Sequence, residues 1–279
     1  MGDGDDDLGF KPDEIGRWSE RKIEIVTKYA AAYATALKNQ PFRRFYIDGF
    51  TGGGVAVRKD TKDQVVTTAR RILAIEPAFD GYHLVDFDVG KSAAMRLACA
   101  GREQAVAYCG DANEILPPIF ESMRRSESKR ALCFLDPYKI LLSWRVLESA
   151  GRMGTIEGFI NFPTHDVQRN VLTKDPSKIP PTGAARMTAM WGDDSWRQVA
   201  YAPQATLFGD VEEKQSIDAL LVAFAARLKT VASFGHVSKP LAMRNNEGAI
   251  VYHLLFVTQH PLALKIANGV LKPYHQGRA

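Results

Sequence analysis

Five short runs rich in β-branched and aromatic residues recur through the first part of the chain: FYIDGF at 45–50, YHLVDF at 82–87, AVAYCG at 105–110, ALCFLD at 131–136 and EGFINF at 157–162. Between them lie stretches that suit helices, namely VVTTARRIL (65–73), GKSAAMRLACA (90–100), ANEILPPIFESMRR (112–125) and WRVLESAGRM (144–153). Nearly continuous apolar strands need cover on both faces, and the intervening helices supply it through right-handed crossovers. The pattern predicts a doubly wound α/β sheet whose first five strands are parallel. Ligands bind such sheets beyond the carboxyl ends of the strands.

The first four runs each end in a carboxylate: Asp48, Asp86 with Asp88, Asp111 and Asp136. In a parallel sheet these acids share one edge. Carboxylates repel a pyrophosphate but accept hydrogen bonds from hydroxyls and amines and attract a sulfonium. Asp86 is the candidate for the 2′,3′-diol of a ribose. Asp111 is placed to accept from the exocyclic amine of adenine, or to cap the helix that ANEIL opens. Asp88 reads as a cap or solvent residue. Glycines 52, 53 and 54 allow close backbone approach to a ligand where a Cβ would collide. A dinucleotide loop would open directly onto a helix, whereas here GVAVRKDTKDQ intervenes. The expected ligand is therefore an adenosyl group without pyrophosphate, S-adenosylmethionine.

FLDPYK at 134–139 is the second chemical signal. An Asp-Pro-aromatic step at a strand end can hold an exocyclic amine while the ring stacks on a flat base, as methyl transfer to nitrogen requires. It can equally be a proline turn with Tyr138 packed locally. INFPTHDV at 160–167 sets Asn161, His165 and Asp166 beyond strand five, as acceptor contacts or as a locally bonded loop.

An N-terminal helix is expected over 15–37 and an amphipathic helix over 212–232. A closing hairpin is expected from 237–245 and 249–259, turning at Asn246, Glu247 and Gly248. That makes seven strands in one domain spanning 13–279, after a disordered acidic tail at 1–12. Residues 164–210, with SKIPP, WGDDSW and YAPQATLFG, break the rhythm and form a helical insertion or cap; Trp191 and Trp196 are expected to anchor it to the core, the alternative being to stack on a base. The formal charge of +4 includes four N-terminal aspartates, so the remainder is mildly basic and permits contact with nucleic acid. Cys99, Cys109 and Cys133 lack metal-ligand spacing and read as buried free thiols, no metal is needed, and no apolar run is long enough for a membrane span. A reducing, cytoplasmic setting follows.

At these residues the chain resembles a class I S-adenosylmethionine-dependent methyltransferase with a Rossmann-like sheet. Asp48, Phe50, Gly52 and Gly54 match the D-x-F-x-G-x-G cofactor motif of amino-group nucleic-acid methyltransferases. Asp86 and Asp111 match the acids after strands two and three. The resemblance implies cofactor contacts from Thr51 and Ala112 as well. Asp136, Pro137 and Tyr138 partly match the catalytic D-P-P-Y motif, with one proline where the motif has two. A closer resemblance, to the three-Cys-motif partner family, covers nearly the whole chain. It is carried by W-x-x-x-K (Trp18, Lys22), the YID-F-x-G-G stretch, LDPY, INFP at 160–163 and a terminal Y-x-L-x-F-x-x-x-x-P-L segment. It implies a neighbouring protein with a three-cysteine iron–sulfur pattern. The expectation is a methyltransferase acting on an amino nitrogen, with a nucleic-acid base as acceptor. The alternatives are an accessory cofactor-binding subunit of the iron–sulfur protein, or a methyltransferase of a small molecule or protein.

Overall fold

The computed structural model describes residues 9–206 and 209–276, so most of the acidic tail lies outside the described residues. A short strand, β1 (Asp13–Ile15), leads into the long helix α1 (Arg17–Leu37), and then come β2 (Arg43–Asp48), β3 (Val55–Arg58), β4 (Gln64–Val66) and α2 (Thr68–Ile72). Strands and helices next alternate: β5 (Gly81–Asp86), α3 (Val89–Ala98), β6 (Ala105–Cys109), α4 (Ala112–Glu121), β7 (Lys129–Leu135), α5 (Trp144–Met153) and β8 (Ile156–Phe162). Helices α6 (Thr164–Asn170), α7 (Pro181–Trp191) and α8 (Trp196–Ala200) follow, with the hairpin β9 (Tyr201–Thr206) and β10 (Gly209–Lys214). The chain ends in α9 (Ile217–Thr230), β11 (His236–Val237), β12 (Leu241–Arg244), β13 (Ile250–Thr258) and α10 (Pro261–His275).

The protein is a mixed α/β structure built on one large sheet, ordered β6-β5-β2-β7-β8-β13, with β11 and β12 both paired to β13. Strands β6, β5, β2, β7 and β8 are parallel, and β13 runs antiparallel to β8. The sheet has eight strands rather than the expected seven, because the segment 237–245 divides around Pro240 into β11 and β12. Proline has no N–H to give a ladder.

Side-chain alternation explains the layering. Phe45 and Ile47, with Ala131, Cys133 and Leu135, face a core closed by α4, α5, α7 and α9. Tyr46, with Leu132 and Phe134, faces the opposite core under α1, α2, α3 and α10. Helix α1 belongs there because Ile25, Val26, Tyr29, Ala30, Tyr33 and Ala34 repeat at helical spacing and are buried. Helix α5 matches its expected span, since Ser143 caps it through Arg145 N and Gly154 ends it at φ 66°.

Three local expectations change. The run 65–73 is not wholly helical: β4 takes its start, and β3 and β4 form a hairpin that pairs with β1 in a second small sheet. The expected helix at 212–232 starts only at Ile217, because its first residues belong to β10, and the insertion is thus helical with a hairpin at its end. Cys109 is exposed, whereas Cys99 and Cys133 are buried, and all three thiols are free. The two tryptophans do anchor the insertion, being 1% and 0% exposed, with Trp191 against Phe224 and its indole N–H donated to Ser195.

Candidate functional site

The parallel strands deliver their carboxyl ends to one edge, and the glycine loop after β2 is stapled to the end of β5. The Thr51 backbone N–H and hydroxyl both donate to Val85 O, and Gly52 N donates to Asp86 Oδ2 at 2.8 Å. The other Asp86 oxygen accepts from Asp88 N at 2.9 Å. Each oxygen keeps a further lone pair for a hydroxyl. Gly52 and Gly54 have φ of 64° and 85°, the left-handed region where a side chain is strained. Thr67 N donates to Gly54 O and closes the loop.

Gly53 serves another purpose. A Cβ there would lie 2.0 Å from the Phe10 ring, and a Cβ on Gly90, in α3, would meet the Phe10 Cβ at 3.0 Å and Gly9 O at 3.1 Å. Asp13 pairs with Lys91 beside it. Residues 9–13, expected mostly as tail, are therefore packed over the glycine loop.

Asp48 is buried, its oxygens accepting from the Tyr46 hydroxyl at 2.7 Å and from Phe50 N at 3.0 Å. Burial raises its pKa to about 7 despite those two bonds, and the nearby charges of Asp136 and Asp86 push the same way. Three acids, Asp48, Asp86 and Asp136, thus share this edge. Phe50 packs partly buried against the core, and Ala112 is buried at the start of α4. Asp88 and Asp111 cap α3 and α4, accepting from Lys91 N and Asn113 N respectively.

A cleft of about 510 Å³ opens beyond β7 and β8. Tyr138 lines it and is 87% exposed, so it is not packed locally. Asn161, His165, Asp166, Arg169 and Lys139 also line it. His165 is exposed on α6, while Asp166 accepts from Ile140 N at 2.9 Å and so ties α6 to the loop that carries Pro137 and Tyr138. Thr164 and the buried His253 bond at 2.6 Å and hold α6 on β13; burial lowers the imidazole pKa to about 4.

Asp136 sits between the two halves of the edge. One oxygen is bonded by the Lys22 ammonium and the other accepts from Asn161 Nδ2 at 2.8 Å. Lys22 lies 4.5 Å from the Tyr252 ring centroid. Burial works against its charge, yet Asp136 and the Tyr252 hydroxyl more than offset that and raise its pKa. Asn161 Oδ1 is buried without a donor. Lys22 entered the sequence reading only within W-x-x-x-K, with no role. The signal for one was its position in the buried stripe of α1, three and four residues before Ile25 and Val26. Tyr46 and Tyr252 gave no separate signal, since both read as ordinary strand aromatics.

No protein-family model and no curated protein matches the chain. Among solved structures it is similar to a Legionella pneumophila protein described as family DUF519, at 11% identity over 94% of each chain and a TM-score of 0.56. At 8% identity over 89% of this chain and 96% of the other, with a TM-score of 0.31, it is similar to an S-adenosylmethionine-dependent methyltransferase from Anabaena variabilis. The first likeness is one of fold alone, and the second is too distant to carry an argument. The three-Cys-motif partner resemblance accordingly rests on the sequence motifs.

Proposed function

We propose that this chain binds S-adenosylmethionine and methylates an amino nitrogen of a nucleic-acid base. One observation carries the reading: the glycine loop with Asp48 and Asp86 shares its sheet edge with Asp136, and Asp136 bonds Asn161 in the wall of a cleft that holds an exposed Tyr138. The residues fit the cofactor, since Asp86 has lone pairs left for a ribose diol and Gly52 and Gly54, with left-handed φ, let the loop backbone approach a ligand. When bound, S-adenosylmethionine supplies an electrophilic methyl group on positively charged sulfur.

The chain's own residues would do the rest. Tyr138, 87% exposed with the Lys139 ammonium 5.7 Å from its ring centroid, is a ring on which a base can stack. Asp136, with both oxygens engaged, orients Asn161, whose free Oδ1 is an acceptor for the amino N–H in place of the carbonyl of the missing second proline. Lys139 and Arg169 line the cleft without a carboxylate partner among the described residues, which suits a phosphate backbone. His165 stands at the cleft rim as a further acceptor contact.

A second reading, an accessory subunit of an iron–sulfur three-Cys-motif protein, is favoured by the same engagement of Asp136 and by the single proline. Calorimetry with S-adenosylmethionine tests the shared premise: binding by the wild type and its loss in Asp86→Ala or Gly52→Val supports the cofactor site, and no binding by the wild type sinks both readings. Transfer of labelled methyl to tRNA, rRNA, DNA and small-molecule pools then separates them. Label entering nucleic acid at an unchanged rate in Asn161→Ala would remove the amine-positioning role.

A further inference from the structure

A second cleft, of about 490 Å³, opens at the opposite edge of the large sheet, between the end of α1 and the start of α10. That is the size of a small-molecule pocket. Its walls are apolar, from Leu37, Phe42, Ile156, Leu262, Ala263 and Ile266. We propose that it binds a small apolar molecule with a carboxylate head, held by Arg130, Arg125 and the Tyr33 hydroxyl.

The argument rests on polar groups left over among those apolar walls. Arg130 is half-buried and donates from one nitrogen to Lys129 O at 2.7 Å, with its guanidinium 4.1 Å from the Phe42 ring centroid. Arg125 donates to Gly154 O at 3.3 Å. Neither has a carboxylate partner among the described residues, and a guanidinium carries five N–H donors. Both arginines line the one cleft, and burial, with the charge of Arg125 after it, lowers the Arg130 pKa. Tyr33 is 6% exposed and its hydroxyl is buried without a partner. A buried donor with no acceptor is destabilising, and a ligand oxygen would satisfy it.

Glu157 also lines the cleft but is spoken for. Its two oxygens accept from the Tyr29 and Thr258 hydroxyls, and no ion pair joins it to either arginine among the described residues. A carboxylate satisfies the guanidinium fork in a planar, bidentate manner. A doubly charged head would lose more hydration against these apolar walls. The site is independent of the cofactor reading.

Calorimetry on the full chain with octanoate, octanol and octyltrimethylammonium tests the assignment. Octanoate should bind about tenfold or more tighter than either analogue, a difference of about 1.4 kcal/mol. Arg130→Met and Tyr33→Phe should each weaken it. Arg125→Gln, on an exposed turn, gives the same readout should Arg130→Met fail to fold, with thermal melts reporting folding. No octanoate binding at millimolar concentration, equal or tighter binding of octanol or the cation, or octanoate affinity unchanged in Arg125→Gln and Tyr33→Phe would each overturn the proposal.

Discussion

Replacing Lys22 with methionine keeps most of the packing volume on α1 and removes one charge from the pair with Asp136. The Lys22 side chain is 8% exposed and that of Asp136 22%. Stranding one member of a buried pair costs about 3–5 kcal/mol, because the remaining charge has neither water nor partner. In Lys22→Met the remaining charge is Asp136, which keeps the Asn161 amide and is 22% exposed, so the cost falls to about 2 kcal/mol. In Asp136→Asn the stranded group is the deeper ammonium, left with the Tyr252 ring, and the cost is about 3–4 kcal/mol. The double variant strands no charge and should cost less than the sum, leaving a coupling of about 2 kcal/mol. Urea denaturation of all four proteins, with constant m, measures the cycle. A coupling below about 0.5 kcal/mol, or Lys22→Met costing more than Asp136→Asn, would refute the account of how this pair is held.

Burial raises the Glu157 pKa from 4.5 to about 7, so the native state holds a proton that the unfolded chain releases between those values, and stability falls as pH rises through that window. Glu157→Gln should therefore lose less thermal stability than the wild type between about pH 5 and about pH 8; an unchanged loss would contradict the assignment. Gly158→Ala would set a Cβ 2.0 Å from the Cys133 carbonyl oxygen on β7, and should cost about 2–3 kcal/mol in denaturant titration. Tyr138→Ala, at an 87% exposed position, should leave stability within about 0.5 kcal/mol while lowering methyl transfer to nucleic acid; a large loss of stability would show that the ring packs rather than waits.

The alternation of apolar runs with helical stretches was enough to predict a large parallel-containing sheet covered on both faces, because burial on both sides leaves strands that read as apolar throughout. The acids after those runs were legible for the same reason: parallel strands must end on one edge, so Asp48, Asp86, Asp111 and Asp136 had to lie along it. Where the chain lacks that period the reading failed. The hairpin of β3 and β4 is short and rich in charge, and β9 and β10 are separated from α9 by nothing that local pattern marks. Which group each acid bonds was decided by tertiary neighbours. Asp111 caps a helix, Asp86 holds the glycine loop, and Asp136 is engaged by Lys22, which is 114 residues away in sequence, and by Asn161. The sequence by itself determined which face and which edge each residue could occupy, since periodicity is a property of the backbone. Only the folded chain decided which buried polar atoms found partners and which, like Asn161 Oδ1 and the Tyr33 hydroxyl, were left open, because that depends on distances between elements that no local pattern contains.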